Sequence, residues 1–154
     1  MIKTYIIGTG NLSNNLKNKI VSSEIFGARE FLNKIFLINK KKKKINLIIN
    51  SFYSVNKLKN LNSYETWVEK SIFEISKIID LLDPQFINKI IYTSSSSIYS
   101  YLNNNIKLKD DNNRDIYAAF KICSESLIKN YCIKKKISFN ICRVFNVYGK
   151  HDKF

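Results

Sequence analysis

The chain has 154 residues, 45% of them hydrophobic and 25% charged, enough for one compact domain and too few for two of ordinary size. The apolar share excludes wholesale disorder, and no apolar run approaches the roughly 18–20 residues needed to span a bilayer. Of the 26 basic residues behind the net charge of +14, 23 are lysines, and Lys, Ile and Asn together fill 68 positions; composition bias with a solvated lysine surface accounts for this charge without nucleic acid as a partner.

In chain order, Ile2–Ile7 opens the sequence as a strand-like run with no segment long enough for a secretion signal, so the cytoplasm is the expected compartment. Leu12, Leu16 and Ile20 share a face of a first helix. Ile25–Phe31, Ile35–Ile38 and Ile45–Ile49 read as further strands, with the connection over Lys34 to Ile49 too short for a full crossover helix. The run Lys40–Lys44 sits between apolar segments as a charged loop does, and lacks the interleaved aromatics of a single-strand stacking surface. Val68, Ile72, Ile75, Ile79 and Leu82 share a face of a second helix, stopped at Asp83-Pro84 because the residue before proline avoids the helical region. Ile87–Tyr92 is a strand, Tyr117 to Cys132 a third helix with Asp115 as its N-cap, and Ile137–Val144 a final strand. The strands are Ile-rich and nearly continuous, as in a parallel sheet buried on both faces, and their alternation with helices predicts an α/β fold. Cys123, Cys132 and Cys142 have no metal-type spacing, and His151 is the single histidine; reduced thiols and no metal site are expected.

Three places carry chemistry. The first strand ends at Gly8-Thr9-Gly10, followed by Asn11-Leu12-Ser13 and a helix. This Gly-x-Gly-x-x-Ser turn is a dinucleotide-binding fingerprint with its last glycine replaced, in which backbone N–H groups and a helix N-terminus can face a pyrophosphate. Glu30 lies about 20 residues on, where an acid binds the adenine ribose hydroxyls of NAD; Arg29 beside it suits the extra phosphate of NADP, and a plain surface pair is the third possibility. The serines Ser94–Ser97 fall at the carboxyl end of a buried strand, where open α/β sheets place ligands. Further on, Tyr117 and Lys121 are four apart on a helix, so both can reach one ligand.

Taken together, Gly8-Thr9-Gly10, the serine segment Tyr92–Tyr99, Tyr117-Ala-Ala-Phe-Lys121 and Ile141-Cys-Arg-Val-Phe-Asn-Val-Tyr-Gly149 resemble the short-chain dehydrogenase/reductase superfamily. The match is to its extended branch of nucleotide-sugar epimerases and dehydratases. The resemblance implies a Rossmann-type doubly wound parallel sheet in three layers over residues 1–149. Residues 150–154 would then begin a substrate region that is otherwise absent. It implies NAD or NADP as cofactor and a nucleotide-activated sugar as substrate, with a homodimer or a separate chain completing the substrate site and no membrane partner. By the same resemblance Ser95, Tyr117 and Lys121 are the catalytic set. Ser95 would hydrogen-bond the sugar oxygen. Tyr117 would move the proton. Lys121 would lower the tyrosine pKa and hold the nicotinamide ribose. Gly8, Gly10, Asn11, Leu12, Glu30, Ser51, Phe52 and Phe145 would contact cofactor, and Asn146 substrate. The sequence departs from the family where Ile7 and Ser13 replace outer glycines of the turn, and where bulky Phe52 and Tyr53 follow Asn50-Ser51. The alternative is a degenerate module that binds dinucleotide or a partner chain without catalysis.

Overall fold

A computed structural model of the chain describes residues 1–50, 64–102 and 112–145. The chain runs β1 (Lys3–Ile7), α1 (Asn11–Lys19), β2 (Ser23–Phe26), α2 (Ala28–Lys40), β3 (Ile45–Ile49), then α3 (Tyr64–Val68), which passes through a π-helical turn (Glu69–Phe73) into α4 (Glu74–Leu81). A 3₁₀ turn at Pro84–Phe86 leads to β4 (Ile87–Ser95), α5 (Ser97–Leu102), α6 (Asn112–Lys135) and β5 (Ser138–Val144). All four strand pairings are parallel and the order is β2-β1-β3-β4-β5. This is an α/β doubly wound, Rossmann-like sheet. The chain leaves β1 for β2 on one side and returns to β3 on the other, which opens a crevice at the carboxyl ends of β1 and β3.

The central strands are buried because β-branched isoleucines fill both of their faces. Ile7, Leu47, Ile49 and Ile90 pack with Phe31, Ile35 and Ile38 of α2, Ile75, Ile78 and Ile79 of α4, and Ile128 and Cys132 of α6 in one core. Tyr5, Phe26 and Phe31 form an aromatic trio with ring centroids 5.7, 5.8 and 5.9 Å apart. The parallel crossovers bring helix C-termini to the amino edge of the sheet. Lys17, Lys19, Lys40, Lys134 and Lys135 sit in those last turns, where cations complement the helix dipole. Part of the lysine excess thus has a structural place.

Several sequence expectations change. The run Ile25–Phe31 is strand only to Phe26, and Ile35–Ile38 is not a strand at all: Phe31, Ile35 and Ile38 are the buried face of α2. A short apolar run does not separate helix from strand; the i, i+4, i+7 spacing with Gly27 as N-cap does. The β2–β3 connection is therefore a full 13-residue helix, and the described residues hold five strands. The third helix starts at Asn112, three residues before Asp115, which lies inside it. In the second helical segment Val68 and Ile72 are only half-buried, while Ile75, Ile78, Ile79 and Leu82 are core. The π turn carries an extra residue and rotates the apolar stripe. Leu82 caps α4 as Asp83-Pro84 required. No helix among the described residues is long and apolar enough to cross a membrane.

Candidate active site

The crevice at the carboxyl edge of the sheet is open to solvent and holds about 280 Å³. One wall is the start of α1. Gly8, at φ 116°, makes the left-handed turn out of β1, which only glycine adopts without strain. Gly10 is the N-cap and offers no side-chain cap, so the first-turn N–H groups have no protein partner from that residue. A Cβ on Gly10 would meet nothing within 4 Å, because this glycine faces the open crevice alongside Asn11, Leu12 and Ser13.

The floor is a buried hydrogen-bond chain. Asn50, just past β3, donates from Nδ2 to the Ser13 hydroxyl, and its Oδ1 accepts from Thr93 Oγ1 of β4 at 2.9 Å. Its backbone N–H donates to the Ile7 carbonyl at 2.9 Å. Ser13, where the family fingerprint has glycine, is 1% exposed. It still permits close helix–sheet packing and uses its hydroxyl to tie α1 to β3.

The opposite wall comes from β4, β5 and α6. Ser95 ends β4, and its Oγ accepts from the Ser97 N–H at 3.2 Å and the Ser97 hydroxyl at 2.9 Å. Tyr117 of α6 lines the same crevice, and Ser95 acts on its phenol to lower the pKa. Lys121, one turn along α6, is 5% exposed. Its Nζ donates to the Thr93 carbonyl at 2.9 Å and lies 4.9 Å from the Tyr92 ring centroid and 5.8 Å from that of Tyr117. Burial lowers the Lys121 pKa to about 8 against the upward pull of Glu125.

Burial raises the Tyr117 pKa and outweighs the opposing effect of Ser95. The Lys121 ammonium donates to the Thr93 carbonyl and lies 5.8 Å from the Tyr117 ring centroid. Behind Tyr117 lies a small, nearly filled recess lined by Trp67, Lys70, Ser71 and Phe120. Trp67 presents its ring to Tyr117 edge-on at 5.9 Å and stacks on Phe120 at 5.9 Å.

At the mouth, Phe145 is 70% exposed and stacks on Tyr99 at 6.1 Å. The Arg143 guanidinium lies 5.0 Å from the Tyr99 centroid. Arg143 also grips Glu125 of α6 in a fork, Nε to Oε1 at 3.0 Å and a terminal nitrogen to Oε2 at 2.8 Å.

Of the sequence-derived site residues, Gly10, Asn11, Leu12, Ser95, Tyr117, Lys121 and Phe145 line this one crevice. Gly8 shapes the turn beneath it. Glu30 does not line it: the side chain lies on the first turn of α2, paired with Lys34 at 3.2 Å. Its neighbour Arg29 reaches Glu69 at 3.5 Å and Glu74 at 3.7 Å. Ser51, Phe52, Tyr53, Asn146 and His151 lie outside the described residues. The Asn50–Ser13–Thr93 chain, Trp67 and the Glu125–Arg143 pair were not read from the sequence. Ser13, Asn50 and Arg143 lie in segments the sequence singles out for other reasons, and Glu125 leaves a signal as an acid four residues beyond Lys121 on the same helix face.

The model of the NAD dependent epimerase/dehydratase family matches residues 18–154. No curated protein matches the chain. Solved structures with the same fold include a GDP-D-glycero-L-gluco-heptose synthase from Campylobacter jejuni in the presence of NADPH, 12% identical with a TM-score of 0.70 over 99% of this chain and 50% of that one. A GDP-mannoheptose C4 reductase from Campylobacter jejuni with NADP bound is 13% identical, TM-score 0.65, over 96% of this chain and 52% of that one. A UDP-N-acetylglucosamine 4-epimerase from Methanobrevibacter ruminantium M1 in complex with UDP-N-acetylmuramic acid is 21% identical, TM-score 0.63, over 96% of this chain and 56% of that one. The chain thus spans about half the length of these structures, and at such identities the likeness is one of fold.

Proposed function

Because the chain belongs to the NAD dependent epimerase/dehydratase family, we propose that its crevice binds NAD or NADP and serves an epimerase, dehydratase or reductase reaction on a nucleotide-activated sugar. The observation that carries this reading is the convergence of Ser95, Tyr117 and Lys121 on a crevice whose far wall is an uncapped helix start. The cofactors and substrates in the related structures support the choice of ligands. The residues fit a dinucleotide. The N–H groups of Asn11 and Leu12, at a helix start without a side-chain cap, would hold the pyrophosphate. Lys121 can donate to the nicotinamide ribose, and Phe145 offers a ring face at the reactive end.

A dinucleotide held there would supply or take up a hydride. The chain moves the proton. Burial keeps the Tyr117 phenol protonated, so it is set to donate to a carbonyl oxygen as that carbon is reduced, and to recover the proton from a hydroxyl in the reverse direction. Ser95, on the same wall of the crevice as the phenol, would orient the same oxygen. The contacts that select the sugar are assigned to a further domain or a second chain, since this chain spans about half the related structures. The raised Tyr117 pKa is also what a binding module without turnover would show, and the two readings separate experimentally.

Thermal unfolding with NADH or NADPH at about 100 times the dissociation constant should raise Tm by roughly 5–10 °C. No rise at millimolar dinucleotide overturns the assignment. Tyr117→Phe should keep that rise and lose nucleotide-sugar turnover. If the parent binds dinucleotide and shows no turnover, the binding module stands.

A further inference from the structure

Lys121 is a buried cation, and its surroundings explain how it stays one. The side chain is 5% exposed, and an ammonium out of water needs a compensating charge or a full set of acceptors. Strand β4 offers the Thr93 carbonyl at 2.9 Å and the Tyr92 ring. Helix α6 offers the Tyr117 ring and, one turn on, Glu125. The π turn brings Lys70 into the pocket that Lys121 shares, but Lys70 is paired with Glu74. The end of β3 brings the neutral Asn50. Strand β5 acts through Arg143, which holds Glu125 by two hydrogen bonds. Among the described residues, Glu125 is therefore the carboxylate whose charge reaches Lys121.

Glu125 is itself 7% exposed, and the Arg143 fork fixes where its charge sits. Burial works to raise the Glu125 carboxyl, but the Arg143 hydrogen bonds together with the Arg143 and Lys121 charges outweigh it and leave the pKa below the ordinary value. The residues Tyr117, Lys121 and Glu125 follow at four-residue steps along one face of α6.

We propose that Glu125 is a positioning residue: its carboxylate keeps the Lys121 ammonium charged beside Tyr117, and Arg143 sets how much of that negative charge Lys121 feels. The significance of this arrangement rests on Lys121 being the group that holds the cofactor's ribose. A merely structural clamp between α6 and β5 would make loss of either partner equivalent. An electrostatic role makes the two losses opposite in sign. Without Glu125, Lys121 loses its counter-charge and Arg143 is left unpaired nearby. Without Arg143, the whole carboxylate charge faces Lys121.

The test is the titration of the Lys121 side chain by NMR of lysine-labelled full chain, assigned with Lys121→Arg and recorded without dinucleotide. Glu125→Gln should move the titration down by about one pH unit or more. Arg143→Gln should move it up, and Glu125→Asp should leave it near the parent value. Shifts of the same sign in Glu125→Gln and Arg143→Gln, or no shift in either, overturn the proposal. If Glu125→Gln fails to fold, Arg143→Gln decides alone: an upward shift supports the proposal, and a downward shift or none refutes it. Because no ligand is present, failure of dinucleotide binding would remove the functional setting and leave this result readable on its own.

Discussion

Replacing Lys121 by Met removes the buried charge and keeps most of the apolar stem. In the parent, burial holds the Lys121 pKa at about 8 against an ordinary 10.5. Carrying that proton at pH 7 costs the folded chain about 3 kcal/mol relative to the unfolded one, at about 1.4 kcal/mol for each tenfold change in acidity. The lost hydrogen bond to the Thr93 carbonyl offsets roughly 1–2 kcal/mol of the gain. Lys121→Met should therefore be more stable than the parent at pH 7, by about 1–2 kcal/mol. The pH course is the sharper expectation. Between about 8 and 10.5 the unfolded chain keeps a proton that the folded chain has released, so Lys121 makes the parent's stability rise with pH in this window. The methionine variant lacks that rise, and its advantage should shrink by about 2–3 kcal/mol between pH 7 and pH 10. Urea midpoints for both proteins at fixed salt, from pH 6 to pH 10, measure the difference. Two curves that stay parallel across that range would refute a buried, charged Lys121.

Gly10→Asp should leave the fold intact or gain up to about 1 kcal/mol, since Asp is a favoured N-cap and the new side chain points into open space. The same change should abolish the dinucleotide-induced rise in Tm by placing a carboxylate where the pyrophosphate belongs; a retained rise would move the phosphate site elsewhere. Asn50→Ala removes the partner of the buried Ser13 hydroxyl and the shorter of two bonds from Thr93 Oγ1, which keeps the Ile49 carbonyl, so chemical denaturation should show a loss of roughly 1–2 kcal/mol. A loss under about 0.5 kcal/mol, the scale of an inconsequential surface change, would mean that the chain beneath the crevice contributes little.

The physical difference between legible and illegible features is one of range. Isoleucine runs marked β1 and β3, because a strand buried on both faces must be apolar along its length; β5, at the sheet edge, alternates exposed and half-buried residues and is not buried on both faces. Gly8-Thr9-Gly10 marked the turn into α1, because glycine alone makes a left-handed turn without strain. Tyr117 and Lys121 could be placed on one helix face from their spacing alone. The segment around Phe31, Ile35 and Ile38 fits a strand as well as a helix by its short apolar run, and only its packing beside Ile75 and Ile78 of α4 in one core shows which face it buries.

What the amino-acid order determined by itself was local: the fully buried strands, the turn, and which residues of one helix look the same way. The order β2-β1-β3-β4-β5 decided that Ser95, from a strand, meets Tyr117, from a helix 22 positions later, and that Asn50 bridges Ser13 and Thr93. It also decided the sign of the Tyr117 shift, since a phenol four residues from a lysine is expected to acidify until burial and the Thr93 carbonyl that claims the ammonium are known. Desolvation and hydrogen-bond competition are properties of assembled neighbours, so they come into existence only when the chain has closed on itself.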